Sequence, residues 1–224
     1  MNGIILVDKP KDWTSHDVVA KVRGLLKKQG IAKPKVGHAG TLDPLATGLL
    51  IILIGNYTKR AQEFSKLDKI YKVSMKLGQT STTGDAEGVK SDISGRKPTK
   101  KEIENSLKSF VGEIKQIPPA YSAIKVNGQR AYKLARAGKS VALKPRKVTV
   151  YRLQLTDYKY PEVRFNCEVS SGTYIRSLVE DIGQKLGTGA YMSDLQRTQI
   201  GKYSIEQTHK IENLVLDEEL KILG

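Results

Sequence analysis

The sequence predicts an α+β protein whose mixed, mainly antiparallel sheet is flanked by helices. Segments with the period-2 alternation of strands outnumber those with a helical period, and several follow one another without a crossover helix between them. The chain also contains neither a GxGxxG pattern nor a P-loop, which gives no indication of a nucleotide-binding fold. With 224 residues, it is expected to form one domain over residues 1–224.

The first part of the chain contains strand patterns around one helix. The apolar runs GIILV at 3–7 and LLIILIG at 49–55 are typical of buried strands, and an alternating strand begins at Tyr71. Between the two runs, the four residues at 14–17 have the pattern of a capping box. A helix should therefore begin there and end by Gly30.

The second part alternates polar loops with further strands and helices. Residues 79–99 are polar and punctuated by glycines, which predicts a long surface loop. The other expected elements follow in order: a capped helix from Thr99 to Gly112, a short helix at 130–137, strands at 147–155 and 163–170, and a helix from Ile175 to Leu186.

The charge balance of the chain predicts a polyanionic partner. It contains 38 Lys and Arg against 23 Asp and Glu, a net charge of +15. From the charge alone, nucleic acid is favoured over an anionic membrane or a merely solvated surface. The lysines are scattered rather than confined to a tail, which favours a folded basic face over a disordered arm. Ten tyrosines against three phenylalanines suit stacking on unpaired bases. For any single tyrosine, a half-buried position in a sheet or a helix is the favoured interpretation.

Neither a metal nor a cofactor is predicted. The single cysteine, Cys167, excludes an internal disulfide and a cysteine-built metal site, and it favours a reducing compartment. The three histidines, at 16, 38 and 209, have no metal-ligand spacing. No apolar run approaches the roughly 20 residues of a membrane span, and the N-terminus has no signal-peptide core, so the cytoplasm is the expected compartment.

A lone carboxylate, Asp43, stands in the stretch VGHAGTLDPLATGLL at 36–50. It could cap a short helix that begins at Pro44, since Asp before Pro is a common helix start. Alternatively, a tight loop could present the carboxylate for chemistry, held by the glycines Gly37, Gly40 and Gly48. Composition alone does not separate these two hypotheses.

Arg176 and His38 each have two interpretations. Arg176 follows a strand through a Gly-Thr-Tyr turn, where it is either a surface residue at a helix start or a functional group. If it paired with a buried Asp43, it would keep that carboxylate ionised and fix its rotamer. His38 is either an ordinary loop histidine or a neutral ring that stacks on a displaced base.

Four stretches of the chain resemble the bacterial TruB family, the tRNA pseudouridine synthases that modify uridine 55 in the T-loop. They occur in the family's order and span nearly the whole chain: GIILVDKPKDWTSHDVV at 3–19, GHAGTLDPLATGLL at 37–50, PPAYSAIKVNGQRAYKLAR at 118–136 and SSGTYIRSLVEDIG at 170–183. The resemblance implies the pseudouridine synthase fold, with the core motifs at about 23–171 and a C-terminal portion at 172–224.

The resemblance also implies the roles of individual residues. Asp43 would be the catalytic aspartate, attacking either C6 of the uracil or the ribose so that the base detaches, rotates and rejoins through C5. Tyr71 would stack on the flipped base near C5, and Arg176 would pair with the aspartate. Further substrate contacts are implied at His38, Tyr174, Leu195 and Lys59.

The implied substrate is the T-arm stem-loop of tRNA, clamped by the loops at 79–99 and around 121–136. Many family members carry a further C-terminal RNA-binding domain (PUA), and the sequence predicts no separate domain of this kind before Gly224. We expect a monomer with no cofactor and no obligatory protein partner. The alternatives are a non-catalytic RNA-binding module, the catalytic subunit of a guide-RNA particle, and a DNA-binding protein, although no helix-turn-helix or zinc spacing supports the last.

Overall fold

A computed structural model describes residues 1–122, 124–126, 128–138 and 143–214 of the chain. The end of the predicted C-terminal portion, 215–224, lies outside the described residues. The chain forms two compact units. The first unit contains Met1–Tyr71 together with the segment that begins at Leu195, and the second unit is the continuous stretch Lys72–Asp194. Whether the chain behaves as one domain, as the sequence suggests, stays a prediction.

The described elements are strands, α-helices and short 3-10 helices, and several strands follow one another directly. The strands are β1 (Gly3–Lys9), β2 (Val36–Ala39), β3 (Thr47–Ile54), β4 (Lys69–Leu77), β5 (Gln79–Ser81), β6 (Lys90–Asp92), β7 (Gly112–Gln116), β8 (Lys125–Val126), β9 (Gln129–Arg130), β10 (Arg146–Lys159), β11 (Glu162–Val169), β12 (Ala190–Ile200), β13 (Tyr203–Ser204) and β14 (His209–Lys210). The α-helices are α1 (Ser15–Lys28), α2 (Ala61–Ser65), α3 (Lys100–Lys108), α4 (Ala131–Arg136) and α5 (Ile175–Lys185). Short 3-10 helices lie at Gly55–Arg60, Ile205–Gln207 and Ile211–Asn213.

Strand order in the first unit is β14-β1-β3-β12, with β2 paired to β3 and β13 to β12. β1 and β3 are antiparallel along their whole length, from Gly3 opposite Ile54 to Lys9 opposite Gly48. β14 runs parallel to β1, and β12 runs parallel to β3. The sheet of this unit is therefore mixed, as the sequence predicts.

The central strands of the first unit are apolar throughout because both of their faces are covered. One face packs on α1, where Val18, Val22 and Leu26 meet residues such as Ile52. The opposite face, which includes Ile51, packs with residues of other elements of the same unit. The capping box of α1 is confirmed: Thr14 Oγ1 accepts a hydrogen bond from Asp17 N, and the Asp17 carboxylate accepts one from Thr14 N.

Strand order in the second unit is β4-β11-β10-β7, and the pairs β10–β11 and β7–β10 are antiparallel. The predicted strands at 147–155 and 163–170 are confirmed as β10 and β11, and the second predicted capping box begins α3 at Thr99. α5 buries Leu178, Val179 and Ile182. The α+β class with a mainly antiparallel sheet is thus confirmed.

The structure contains several elements that the sequence did not predict, among them the short strands β2, β8, β9, β13 and β14. The expected surface loop at 79–99 contains an antiparallel hairpin, in which β5 and β6 pair from Gln79 opposite Asp92 to Ser81 opposite Lys90. β7 and β12 lie where no strand was predicted.

Within the described part of the chain, no helix is both long and apolar enough to cross a membrane.

Candidate functional site

Asp43 lies on a tight turn of the first unit, between β2 and β3. Ala46 N donates a hydrogen bond to Asp43 O over 3.1 Å, which closes a β-turn with Pro44 at its second position, where the fixed φ of proline fits. The chain passes directly into β3 at Thr47, so the hypothesis of a capped helix is wrong. The loop presents Asp43 with its side chain half-buried.

Side chains from β1 and from the start of α1 fix the backbone around Asp43. Ser15 Oγ accepts a hydrogen bond from Leu42 N at 2.9 Å and donates one to Leu42 O at 3.1 Å. Pro44 O accepts from Asp12 N at 2.9 Å and from Lys9 Nζ at 3.3 Å. The residues on both sides of Asp43 are therefore held, which limits the positions that its carboxylate can take.

Lys9 is a fully buried cation beneath this turn, with 0% of its surface exposed. Its ammonium also donates to Pro10 O at 2.8 Å and to Trp13 O at 2.5 Å. Burial lowers the pKa of Lys9 to about 8, against the opposing attraction of Asp12 and Asp43. Lys9 thus lies within electrostatic reach of the candidate nucleophile, and sequence reasoning did not find it.

Arg197 of β12 is a second buried cation of the first unit, 1% exposed. Its Nε donates to Leu49 O at 2.8 Å, and its Nη2 donates to Gly40 O at 3.1 Å, three residues before Asp43. The guanidinium is also hydrogen-bonded to the side chain of Tyr71. Burial lowers the pKa of Arg197, and Tyr71 opposes this shift. One side chain therefore contacts both the Asp43 loop and the predicted stacking tyrosine.

The strand that carries Arg197 approaches β3 closely at Gly48. Arg197 is the register partner of Gly48, whose φ is +98°. A Cβ on Gly48 would lie 2.9 Å from Arg197 N and closer still to Arg197 O, so only glycine fits there. The glycine that the sequence suggested as a loop holder serves instead to bring these two strands together.

The other predicted residues of the first unit have different environments. His38 lies in strand β2 opposite Ile52, half-buried, rather than in a loop. Tyr71 and Leu195 are buried, whereas Lys59 is exposed in the 3-10 helix Gly55–Arg60. The roles of all four in substrate binding stay predictions.

Arg176 lies in the first turn of α5 in the second unit, and it is buried. Its Nη1 donates to Thr83 O at 3.0 Å and its Nη2 to Tyr121 O at 2.8 Å. Nη1 also lies 3.6 Å from the Asp85 carboxylate. The interpretation as a surface arginine is therefore wrong, and Arg176 joins parts of the two segments that were predicted to clamp RNA.

Asp85 belongs to the segment that was predicted to be a surface loop, yet it is buried. Its Oδ1 accepts hydrogen bonds from Thr83 Oγ1 at 2.5 Å and from Glu87 N at 3.1 Å. Burial raises the pKa of the nearby Glu180, and Asp181 raises it further, while Arg176 lowers it. The second unit thus surrounds Arg176 with the buried Asp85 and the half-buried Glu180.

Tyr174, the residue before α5, is fixed through its backbone. Its N donates to Gln116 Oε1 at 2.8 Å, and its O accepts from Gln116 Nε2 at 3.0 Å. Gln116 is itself buried at the end of β7. The predicted contact of Tyr174 with substrate and the predicted pairing of Arg176 with Asp43 both stay predictions.

Comparisons with known proteins agree with the resemblance. Residues 26–175 match the family model described as TruB family pseudouridylate synthase (N terminal domain), and residues 176–221 match the tRNA pseudouridylate synthase B C-terminal domain. The tRNA pseudouridine synthase B of Pseudomonas fluorescens is 49% identical over 214 residues, which cover 96% of this chain and 68% of that protein. That of Thermobifida fusca is 41% identical over 228 residues, covering 96% and 75%.

Solved structures share the fold. A chain of a Cbf5-Nop10-Gar1 complex superposes with a TM-score of 0.72 at 31% identity, covering 95% of this chain and 53% of the other. A chain of an H/ACA RNP bound to a substrate RNA containing 2′-deoxyuridine gives 0.71 at 29%, covering 95% and 52%. This chain thus spans about half the length of these solved relatives. The pseudouridine synthase fold and the predicted isomerase class are confirmed, and the chain belongs to the TruB family of pseudouridylate synthases.

Proposed function

We propose that this chain converts uridine 55 in the T-loop of tRNA to pseudouridine, with Asp43 as the catalytic aspartate. The observation that carries the proposal is the anchored turn: Asp43 stands half-exposed between residues held by Ser15, Lys9 and Asp12, in a loop joined through Arg197 to Tyr71. Curated relatives with 46–49% identity are named tRNA pseudouridine synthase B.

The reaction needs no group from outside the substrate. The bond from N1 of uracil to C1′ of the ribose breaks, the base rotates, and a bond forms between C5 and C1′. C5 then loses its proton while N1 ends with one, so the atoms of the nucleotide balance. Asp43 would attack C1′ as N1 leaves, or C6 before the base detaches, and a carboxylate suits either route as a nucleophile. The bond to the carboxylate breaks again before the product is released, so Asp43 is regenerated.

The anchored backbone suits this role, because a nucleophile must be held within a fraction of an ångström of its target. Lys9 adds a positive charge beneath the turn, and the excess of 15 positive charges attracts the phosphates that would otherwise repel Asp43. These positive charges offset the repulsion between the Asp43 carboxylate and the phosphates of the RNA.

Tyr71 would supply the surface that receives the flipped base. Uridine 55 is stacked inside a folded loop, so it must be extruded before reaction, and an aromatic ring offsets part of the lost stacking. The hydroxyl of Tyr71 is already hydrogen-bonded to Arg197, which limits displacement of the ring. In this arrangement C5 of the base lies near Tyr71 when it loses its proton.

The remaining predicted residues would bind the T-arm. Arg176 would pair with Asp43 in the complex with RNA, and contacts to the T-loop would come from His38, Lys59, Tyr174 and Leu195. We propose that the protein acts as a monomer on the T-arm in the cytoplasm, a reducing compartment that suits its single, buried cysteine, Cys167.

Tritium release tests the function directly. A T-arm stem-loop labelled with tritium at uridine C5 is incubated with the wild type, with Asp43→Asn, and with Asp68→Asn as a matched control, because Asp68 is an exposed carboxylate of the same unit. The expected result is release by the wild type and the control, and none by Asp43→Asn, which should still bind the RNA. Release by Asp43→Asn at the wild-type rate would exclude Asp43 as the nucleophile.

The same assay separates two other functions. An RNA-binding module without catalysis would bind the stem-loop and release no tritium with any variant. The solved relative with a TM-score of 0.71 comes from an H/ACA RNP bound to a substrate RNA, which keeps the subunit of a guide-RNA particle as a second candidate. Release by this chain alone, with no other protein and no guide RNA, would exclude that candidate.

A further inference from the structure

Arg197 is held by the first unit at a considerable electrostatic cost. Removing a guanidinium from water is unfavourable unless its donors are satisfied. Two further cations of this unit, Lys9 and Lys69, are also buried, and the charge of Arg197 contributes to lowering the pKa of each to about 8. Three buried cations repel one another, which destabilises a core. The burial of Arg197 is therefore not explained by a contribution to stability.

The geometry of the guanidinium explains why an arginine is present. Its planar fork directs donors along fixed directions, unlike the point charge of a lysine. Nε and Nη2 bind Leu49 O and Gly40 O, which fixes the plane of the group against β3 and against the end of β2. The bond to Tyr71 therefore extends from a group that is already immobile. Gly48 permits the close strand approach on which this arrangement depends.

We propose that Arg197 is a positioning residue for the isomerisation: it sets the placement of the Tyr71 ring relative to the Asp43 turn by holding the Tyr71 hydroxyl and the Gly40 carbonyl on one guanidinium. This inference rests on the proposed function. The base must lie between a nucleophile and a stacking ring, and a shared anchor keeps their spacing constant while RNA binds. A displacement of about 1 Å at either group can slow a reaction about 100-fold.

A purely structural role for Arg197 predicts different measurements. If the guanidinium only stabilised the core, its substitution would lower the free energy of unfolding and leave the chemical step of the folded enzyme unchanged. The positioning role instead predicts a slower chemical step when the enzyme is folded and all of the RNA is bound to it. Single-turnover kinetics at saturating enzyme separate the two roles, because substrate binding and product release do not enter the rate.

The experiment compares Arg197→Lys, Tyr71→Phe and the double variant with the wild type, using single-turnover tritium release from the T-arm stem-loop below the unfolding transition of each protein. Lys69→Met is the matched control, because Lys69 is also buried in this unit but donates to Ser65 O and Leu67 O. Arg197→Met, which removes the buried charge, replaces Arg197→Lys if the latter does not fold.

The expected result is a loss of about 100-fold in the single-turnover rate for Arg197→Lys, with RNA affinity unchanged and with Lys69→Met at the wild-type rate. The double variant should be no slower than the slower single variant, because both substitutions break the same link. A wild-type rate for Tyr71→Phe or for the folded Arg197 variant would overturn the inference, as would losses that multiply in the double variant. Absence of release by the wild type would instead overturn the proposed function.

Discussion

Arg176 and Asp85 form a buried ion pair, with 3.6 Å between Nη1 and Oδ2 and with only 7% and 5% of their side chains exposed. The pair joins α5 to the segment that connects β5 and β6. Arg176 also donates to two backbone carbonyls, and Asp85 accepts from Thr83 and Glu87, so both charges are extensively hydrogen-bonded. The second unit therefore presents Arg176 from a fixed position.

Replacement of Asp85 by asparagine should destabilise the protein. The substitution keeps the size of the side chain but leaves the buried charge of Arg176 without its carboxylate partner, which should lower the free energy of unfolding by about 3 kcal/mol. Urea denaturation measures this change. Asp92→Asn is the control, because Asp92 is an exposed carboxylate of the same hairpin. Equal stability of the two variants would contradict the importance of the pair.

The stability contribution of Lys69 should depend on alkaline pH. Burial lowers its pKa from 10.5 to about 8 in the folded state. Between pH 8 and 10.5, Lys69 is protonated in the unfolded chain and mostly deprotonated in the folded one. The free energy of unfolding therefore rises with pH over this range, and a variant without the lysine lacks this rise. Between pH 8 and 10.5, the free energy of unfolding of the wild type should rise by about 3 kcal/mol relative to that of Lys69→Met. Urea unfolding of both proteins across that range measures the gain, and a constant difference would show that the lysine titrates normally.

Ser15 should be needed for a well-positioned Asp43. Ser15→Ala leaves the buried N–H and C=O of Leu42 without this partner, at a cost of about 1–3 kcal/mol. Single-turnover tritium release should also slow, because the turn loses one of its anchors. Ser65→Ala removes a comparable hydroxyl, which donates to Gln62 O away from the turn, and should leave the rate unchanged. Equal rates for the two variants would show that the turn does not depend on Ser15.

Gly48 should not tolerate alanine. The backbone has a φ of +98°, and the added Cβ would press on the backbone of Arg197, so Gly48→Ala should cost about 3 kcal/mol or more and reduce activity. Gly24 is the matched control, because it lies inside α1 with open space around it. Gly24→Ala should stabilise the protein by about 1 kcal/mol. Thermal unfolding of both variants measures these opposite effects.

Local signals predicted much of the fold. The capping boxes at Thr14 and Thr99 were found because all of their interactions lie within one helical turn. β3 was found because a strand that is covered on both faces is apolar throughout. β7 and β12 were missed because short or polar strands depend on pairing with strands distant in sequence. The hairpin at 79–92 was missed because its polar residues have the composition of a loop.

The motifs located Asp43 and Arg176, but the sequence did not reveal what surrounds them. Lys9, Arg197 and Asp85 are charged residues in stretches that could equally well be exposed. One signal was available for Arg197: it shares a strand face with the buried Leu195, and a charge at an inward position indicates a specific partner. Such partners come from tertiary packing, and local periodicity cannot identify them.

The parallel pairing of β14 with β1 has a consequence for biosynthesis. The unit that carries Asp43 is assembled from two segments that are distant in sequence, whereas Lys72–Asp194 is contiguous. During translation, β1 and β3 leave the ribosome long before Arg197 is made. The Asp43 loop therefore remains without its guanidinium anchor until more than 150 further residues have been translated. The contiguous unit Lys72–Asp194 is the one that can fold first. A nascent chain that stops before Arg197 would already contain the nucleophile while lacking the contact that joins its loop to the tyrosine.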